Sequence, residues 1–467
     1  MFRLPALRTL LLEAVVIAIG IATTVTIIYF KSRPRAVHVE RRLAGHEQNV
    51  SQNPRVQYAP ALALDPSHPD VLVGGSSDSL ADTLVYTSTD AGESWTRDAG
   101  PPLLRGNCKI DRPAVAIAAG GRQLYAFSAT KFCDLPEPKI HIAVRNGTVG
   151  RWRVRALLPV KGYARDDHFA LASSGNRVWL AWSRRPRQFA STLVGYLASS
   201  SDGGQTWSAP LRLPVAQPFT LSLAASARGD LYLAAADGDN NRLVILRSRD
   251  GGKTFSRARV ISDFASPYDE ECEGAFLPPQ TQFCIPPSVH VVVDNSGAVV
   301  VGWADVEANQ SEGLRFARLT PALRAVTPKR RLGPPDRELS DQFDPSLAVD
   351  RSDGTLWACY MDTFGDPYRH RAWPTCTLSR NGGRSWATPV RVALEASDET
   401  VTGANLRGYG STALVAANGV AHVMWTDTRK IDENSEEIFA SRLPERALLK
   451  RPAAAAPHAA GRARSRA

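Results

Sequence analysis

The 467-residue sequence has no Cys-x-x-Cys, no His-Glu-x-x-His, and no pair among its nine histidines at ligand spacing. Zinc and thioredoxin-type chemistry are therefore not expected. Its glycines make no phosphate loop between a strand and a helix, and no Gly-x-Ser-x-Gly elbow marks a hydrolase nucleophile. Long apolar runs are scarce as well. Only Leu10–Phe30 is long enough to cross a bilayer, which excludes a polytopic membrane protein. Nothing here calls for a metal or a cofactor.

The positive charge lies at the ends. Of 56 Lys and Arg, eight fall in residues 1–55 and six in 446–467, so the middle keeps 42 basic against 43 acidic residues. A nucleic-acid binder would carry its excess on the folded domain, so that class is set aside. Leu10–Phe30 is followed at once by Lys31, Arg33 and Arg35, with no small-residue cleavage site, and reads as an uncleaved signal anchor. The expected organisation is a short segment 1–9, a transmembrane helix 10–30, a linker 31–36, a folded domain 37–445 and a disordered basic tail 446–467. The six cysteines form three sequence-local pairs, Cys108 with Cys133, Cys272 with Cys284, and Cys359 with Cys376. That pattern suits disulfides in an oxidising compartment and places the folded part outside the cytoplasm, in the periplasm or on the cell surface.

The middle of the chain is a repeat. S-T-D-A-G-E-S-W at 88–95, S-S-D-G-G-Q-T-W at 200–207, S-R-D-G-G-K-T-F at 248–255 and S-R-N-G-G-R-S-W at 379–386 share one pattern, and R-N-G-T-V-G-R-W ending at Trp152 is a weaker relative. An Asp that accepts turn amides, with glycine supplying positive φ, makes a tight hairpin. The following aromatic, Trp95, Trp207, Phe255 or Trp386, is expected to begin the next strand and pack inward. These turns resemble the Asp boxes of the sialidase-like (bacterial neuraminidase repeat) β-propeller superfamily, across roughly residues 37–445. In that family the boxes lie on the face away from the active site, so the resemblance speaks for architecture more than for activity.

A second unit sets the blade number. P-A-L-A at 60–63, P-A-V-A at 113–116, F-A-L-A at 169–172, L-S-L-A at 221–224, P-S-V-H at 287–290, P-S-L-A at 345–348 and T-A-L-V at 412–415 each precede a second apolar strand. The expected fold is all-β, a seven-bladed β-propeller, with six blades as the alternative. The seventh unit has no fourth strand of its own, and Val37–Leu43 is expected to supply it and cover the open edge.

Strand polarity then defines a mouth. Residues before first strands and after second strands ring one end of the channel: Tyr58, Asp111, Arg112, Asp166, Asp167, His168, Asp344, Arg407 and Tyr409, with Asp78, Arg184, Asp237, Asp305, Asp362, Asp427 and Arg429. By resemblance, a sialidase-like site would hold a substrate carboxylate on an arginine cluster and use a Tyr–Glu nucleophile with an Asp acid/base. Arg112, Tyr409 and Asp167 are the catalytic candidates, and Arg112, Asp344, Arg407, Tyr409, Asp362 and Asp427 the binding candidates. Arg112-Pro113-Ala114 is similar to the family's Arg-Ile-Pro motif with one residue deleted, and Gly408-Tyr409-Gly410-Ser411 to the segment holding its tyrosine. However, Arg112 opens blade two instead of blade one, where Tyr58-Ala59-Pro60 stands. No motif marks a Glu partner, Glu307 and Glu273 being the options. Arg315, Arg184, Arg407 and Arg429 remain as completing arginines. A non-catalytic module binding a glycan or a cell-envelope protein is thus the expected function, with exo-sialidase or another glycoside hydrolase as the alternative. The acidic run 269–273 reads as a solvated loop.

Overall fold

The computed structural model describes residues 43–53, 55–78, 83–102, 113–128, 140–156, 165–185, 193–264, 275–276, 284–285, 288–306, 312–325, 330–332, 340–398, 411–429 and 436–449. Contacts divide the chain into Met1–Glu40 and Arg41–Ala467, and only the second unit holds described residues. The expected anchor Leu10–Phe30 lies outside them. Among the described residues no helix is long and apolar enough to cross a membrane.

Seven antiparallel sheets follow one another along the chain. Blade 1 is Gln57–Leu64, Leu72–Asp78, Leu84–Ser88 and Thr96–Ala99; blade 2 is Ala114–Ala118, Arg122–Ser128, Ile140–Asn146 and Arg153–Ala156. Blade 3 is Arg165–Ser174, Arg177–Arg185, Val194–Ser200 and Leu211–Ala216; blade 4 is Pro218–Ala225, Leu231–Asp237, Arg242–Ser248 and Arg259–Asp263. Blade 5 is Val289–Val293, Val299–Val306, Glu312–Leu319 and Arg330–Arg331. Blade 6 is Gln342–Val349, Leu356–Asp362, Arg371–Ser379 and Val390–Arg391, with Ser397–Asp398 also paired to its third strand. Blade 7 is Thr412–Ala417, Val420–Asp427 and Glu437–Pro444, completed by His46–Asn49. The first strands touch from blade to blade, and blade 7 returns to blade 1, so they line a closed channel.

Period-two alternation explains the packing. In Leu231–Asp237, Leu231, Leu233 and Ala235 face a cluster shared with blade 3, whereas Tyr232 and Ala234 face one shared with blade 5. Both faces of a blade are therefore buried, and second strands read as nearly continuous apolar runs. Each of the seven blade interfaces holds one such cluster. At about 1.5–3 kcal/mol per buried large aliphatic or aromatic side chain, these interfaces are the main driving force for folding.

The closing strand differs from expectation. His46–Asn49 pairs with Phe439–Arg442, a few residues downstream of the segment expected to do so. Leu43 instead bridges Arg391 of blade 6 in parallel, and residues 37–42 lie outside the described residues. The reason is side-chain chemistry. Glu47 reaches a buried arginine of blade 7, and Gln48 donates to the Glu93 carbonyl of blade 1, so the register is set by polar partners that hydrophobic patterning does not reveal. At the other end, Glu445–Leu449 is a short helix with Leu448 buried in the blade 6–7 cluster. Order therefore extends past the expected boundary at 446, and residues 450–467 lie outside the described set.

The four repeated turns join third and fourth strands in blades 1, 3, 4 and 6. In each, the opening Ser hydroxyl donates to the Asp or Asn side chain two residues on (2.8, 2.8, 2.8 and 2.9 Å) and accepts the amide of the Gly four residues on. The Asp or Asn oxygen also accepts the amide of the Ser or Thr four residues on. At Asp202 a slight burial that opposes ionisation is outweighed by bonds from Thr206 and Ser200, and the carboxyl drops to about 2. The Thr254 hydroxyl and amide likewise hold Asp250 at about 2. Each of these glycines sits against the preceding blade: Gly92 on His422, Gly204 on Leu124, Gly252 on Leu197 and Trp179, Gly383 on Phe316. The turns are thus rivets between blades. The following aromatics do pack inward, but only Trp95 adjoins its fourth strand directly; Trp207, Phe255 and Trp386 precede theirs by three or four residues.

Candidate functional site

Second strands end where first strands begin, opposite the repeated turns. Three first strands share a device at this mouth, a bulge with one non-glycine residue at positive φ. Ala59 (52°), His168 (54°) and Asp344 (50°) sit between the paired residues Tyr58 and Ala61, Asp167 and Ala170, and Phe343 and Ser346. Such bulges re-aim the chain at sheet rims and store modest strain.

Six second strands carry a charged residue in their last two positions: Asp78, Arg184, Asp237, Asp305, Asp362 and Asp427. All are buried, and each is engaged within the protein. Asp78 accepts from Asn53 and Gln57, and Asp237 from Asn240. Burial nevertheless raises the Asp237 carboxyl above its ordinary value. Asp362 accepts the Phe364 amide at 3.0 Å, capping the turn that follows it. Asp427 accepts from the Trp425 indole (2.8 Å) and from Arg429, which also bonds Glu47 of the closing strand. Burial alone would disfavour the charged guanidinium, but the Asp427 and Glu47 carboxylates outweigh it and hold Arg429 above its usual value. Arg184 and Asp305 also have partners.

Asp344 joins two blades. Its carboxylate accepts the Thr412 amide at 2.6 Å and its carbonyl the Thr412 hydroxyl at 2.9 Å, which fixes the entry of blade 7 against blade 6. Of the binding candidates, then, Asp344, Asp362 and Asp427 are all at the mouth, each bonded into its surroundings. Arg112, Arg407, Tyr409 and Asp111 lie outside the described residues, as do Glu273 and Glu307. Asp166 and Asp167 lie in the first strand of blade 3, opposite Arg184 and Ser183, with side chains outside the described set.

One feature of the mouth escaped motif reading. The loop 363–370 of blade 6 is braced by Asp366, whose carboxylate accepts the amides of Tyr368 (3.2 Å), His370 (3.0 Å) and Arg371 (2.8 Å). Arg369 donates to Asp341 beside the innermost strand (3.0 Å), and Arg391 to the Phe364 carbonyl (2.8 Å). On this frame Tyr368 is 66% exposed, the one large aromatic so placed among the described residues. The only sequence signal was the turn pair Asp366-Pro367. Below it, Cys359 and Cys376 pair across the two strands as a disulfide, as expected. The other two cysteine pairs lie outside the described side chains. Among the described residues no group of three or more His, Cys, Asp or Glu could hold a metal.

No protein-family model matches the sequence, and no curated protein matches it. Solved structures do align over most of the chain. A protein of unknown function from Dyadobacter fermentans DSM 18053 is 14% identical, covering 86% of this chain and 98% of its own, with TM-score 0.49. The Hadza microbial sialidase Hz136 is 13% identical, covering 81% and 74%, with TM-score 0.46. An α-L-arabinanase of Penicillium chrysogenum, complexed with arabinobiose, is 13% identical, covering 88% and 99%, with TM-score 0.47. The blade count stands on the pairing of the chain's own strands.

Proposed function

We propose that the chain is a membrane-anchored, extracytoplasmic sialidase-like propeller that binds a glycan at its mouth without cleaving it. The observation that carries this reading is the use made of the mouth carboxylates. Asp344 fastens blade 7, Asp362 caps a turn and Asp427 holds Arg429, so these acids serve the frame. A glycosidase needs two carboxyl groups, or a tyrosine and a carboxyl, free to face the substrate. Tyr368 supports a binding role, because an exposed aromatic ring on a braced loop offers an amphipathic surface at little cost in ordering. The anchor Leu10–Phe30 supports attachment to a membrane, and the Cys359–Cys376 disulfide supports export.

Exo-sialidase is the second reading, favoured by one observation. Gly408-Tyr409-Gly410 precedes Ser411, whose carbonyl accepts the Thr426 amide where the innermost strand of blade 7 begins. A tyrosine carried there would be delivered to the mouth.

The test uses the full chain in detergent, on a fluorogenic sialoside and on a glycan array, beside Tyr409→Phe and Tyr368→Ala. The binding reading expects no turnover and glycan capture weakened by Tyr368→Ala. Turnover that Tyr409→Phe abolishes would replace it with the sialidase reading. Capture of envelope proteins without any glycan would make the ligand a protein.

A further inference from the structure

The channel has a second opening, on the face of the repeated turns. It holds a cavity of about 600 Å³, lined by the turns joining first and second strands and drawing on blades 1 to 6. That volume is in the range of small-molecule sites.

The charge in this cavity is unevenly matched. Asp230 is paired with Arg247 at 2.7 Å, and Asp294 with Arg318. Both carboxylates are therefore spoken for. Arg228, from the blade 4 turn, and Arg351, from the blade 6 turn, line the same cavity and form no ion pair among the described residues. Among the described residues the Arg351 guanidinium makes one long hydrogen bond, to the Asn295 amide oxygen (3.4 Å). Its crowding lowers the guanidinium below its ordinary value, with the Asp294 charge opposing this. Both arginine side chains are exposed at the rim of the cavity, where an entering anion can reach two guanidinium groups directly. Hydroxyl groups line the same cavity. Ser226 Oγ accepts the Asp230 amide at 3.1 Å, which leaves its own proton to donate.

We propose that this opening is a binding site for a monosaccharide-sized, hydroxylated oxyanion, its charged group on Arg351 and Arg228 and its hydroxyls on Ser226 and its neighbours. The site is separate from the mouth, at the other end of the channel, and does not depend on the function proposed above. A carboxylated sugar and a sugar phosphate share the required chemistry.

The test is calorimetric titration of the full chain in detergent with sodium glucuronate, glucose 6-phosphate and neutral glucose. Arg228→Ala/Arg351→Ala is run in parallel. Saturable binding of at least one anion, weaker with added salt and lowered about tenfold or more by the double substitution, is expected, with glucose silent. An unchanged melting temperature shows that the variant is folded, since both side chains sit at turns outside the core. The two anions together separate a carboxylate source from a phosphate source. Failure of both to bind, equal binding of glucose, or anion binding that survives the double substitution would overturn the assignment.

Discussion

Arg429 and Glu47, 382 residues apart in the chain, meet with Nη1 and Oε1 2.7 Å apart where the ring closes. The same guanidinium bonds Asp427, and Glu47 also accepts the Leu394 amide of blade 6. One buried cluster thus ties the closing strand to the last two blades. Glu47→Ala is expected to lower unfolding stability by about 1–3 kcal/mol, through the bonds it leaves unmade. Arg429→Met should cost about 3–5 kcal/mol, because Asp427 and Glu47 are then buried without their partner. Denaturant melts of the full chain measure both, and equal, negligible shifts would show that hydrophobic contacts alone close the ring.

Two adjacent glycines separate backbone strain from packing. Gly251 (φ 76°) has open space where a Cβ would sit, but at Gly252 (φ 91°) that atom would lie 2.7 Å from Leu197 and 3.1 Å from Trp179. Gly251→Ala should cost about 1 kcal/mol for its left-handed conformation. Gly252→Ala should cost about 1–3 kcal/mol more, because blade 3 has to move. Thermal melts rank them, and the reverse order would mean that the turn does not rivet the blades.

Acid should weaken the fold in two windows. Burial lowers His290 to about 4, its Nδ1 accepting the Leu347 amide between blades, and burial with the Arg442 charge does the same to His422. The unfolded chain takes up these protons near pH 6.5, so the stability they represent is present above that value and is lost as pH falls towards 4. Asp202 and Asp250, held at about 2, contribute stability present above about pH 4 and lost as pH falls towards 2. Their share is modest, since these turns are exposed to solvent. Melting temperatures from pH 7.5 to 3 test this, with His290→Gln expected to flatten the upper window. A melting temperature constant between pH 6.5 and 4.5 would contradict it.

The Cys359–Cys376 bond closes a separation of 17 residues around the Tyr368 loop. Replacing both cysteines by alanine should lower stability by about 3 kcal/mol on the chain-entropy account. Both are fully buried, so reductant should act only after unfolding. Alkylation followed by mass spectrometry, with and without denaturant, reads this directly. Labelling of the native chain would show the blade opening locally.

Much of the ring could be read from residue patterns because each blade repeats a local code. The Ser-x-Asp-x-Gly turns need only neighbours within four residues, and alternating strands such as Leu231–Asp237 declare two buried faces. The mouth was legible only as a set of positions. That Asp344 serves Thr412 across 68 residues, or that Asp427 serves Arg429 and Glu47, depends on partners brought together by closure. The closing strand was placed near its true position but not on it, since polar contacts to Glu47 and Gln48 set its register.

The sequence by itself determined the class of fold and the number of blades, because turn chemistry and side-chain periodicity are local and recur with every blade. Tertiary structure alone decided which acids are spent on the frame, that Tyr368 stands out on a braced loop, and that two arginines at the far end of the channel form no ion pair among the described residues. Those properties belong to sums of charge and burial over several blades, and such sums exist only once the ring has closed.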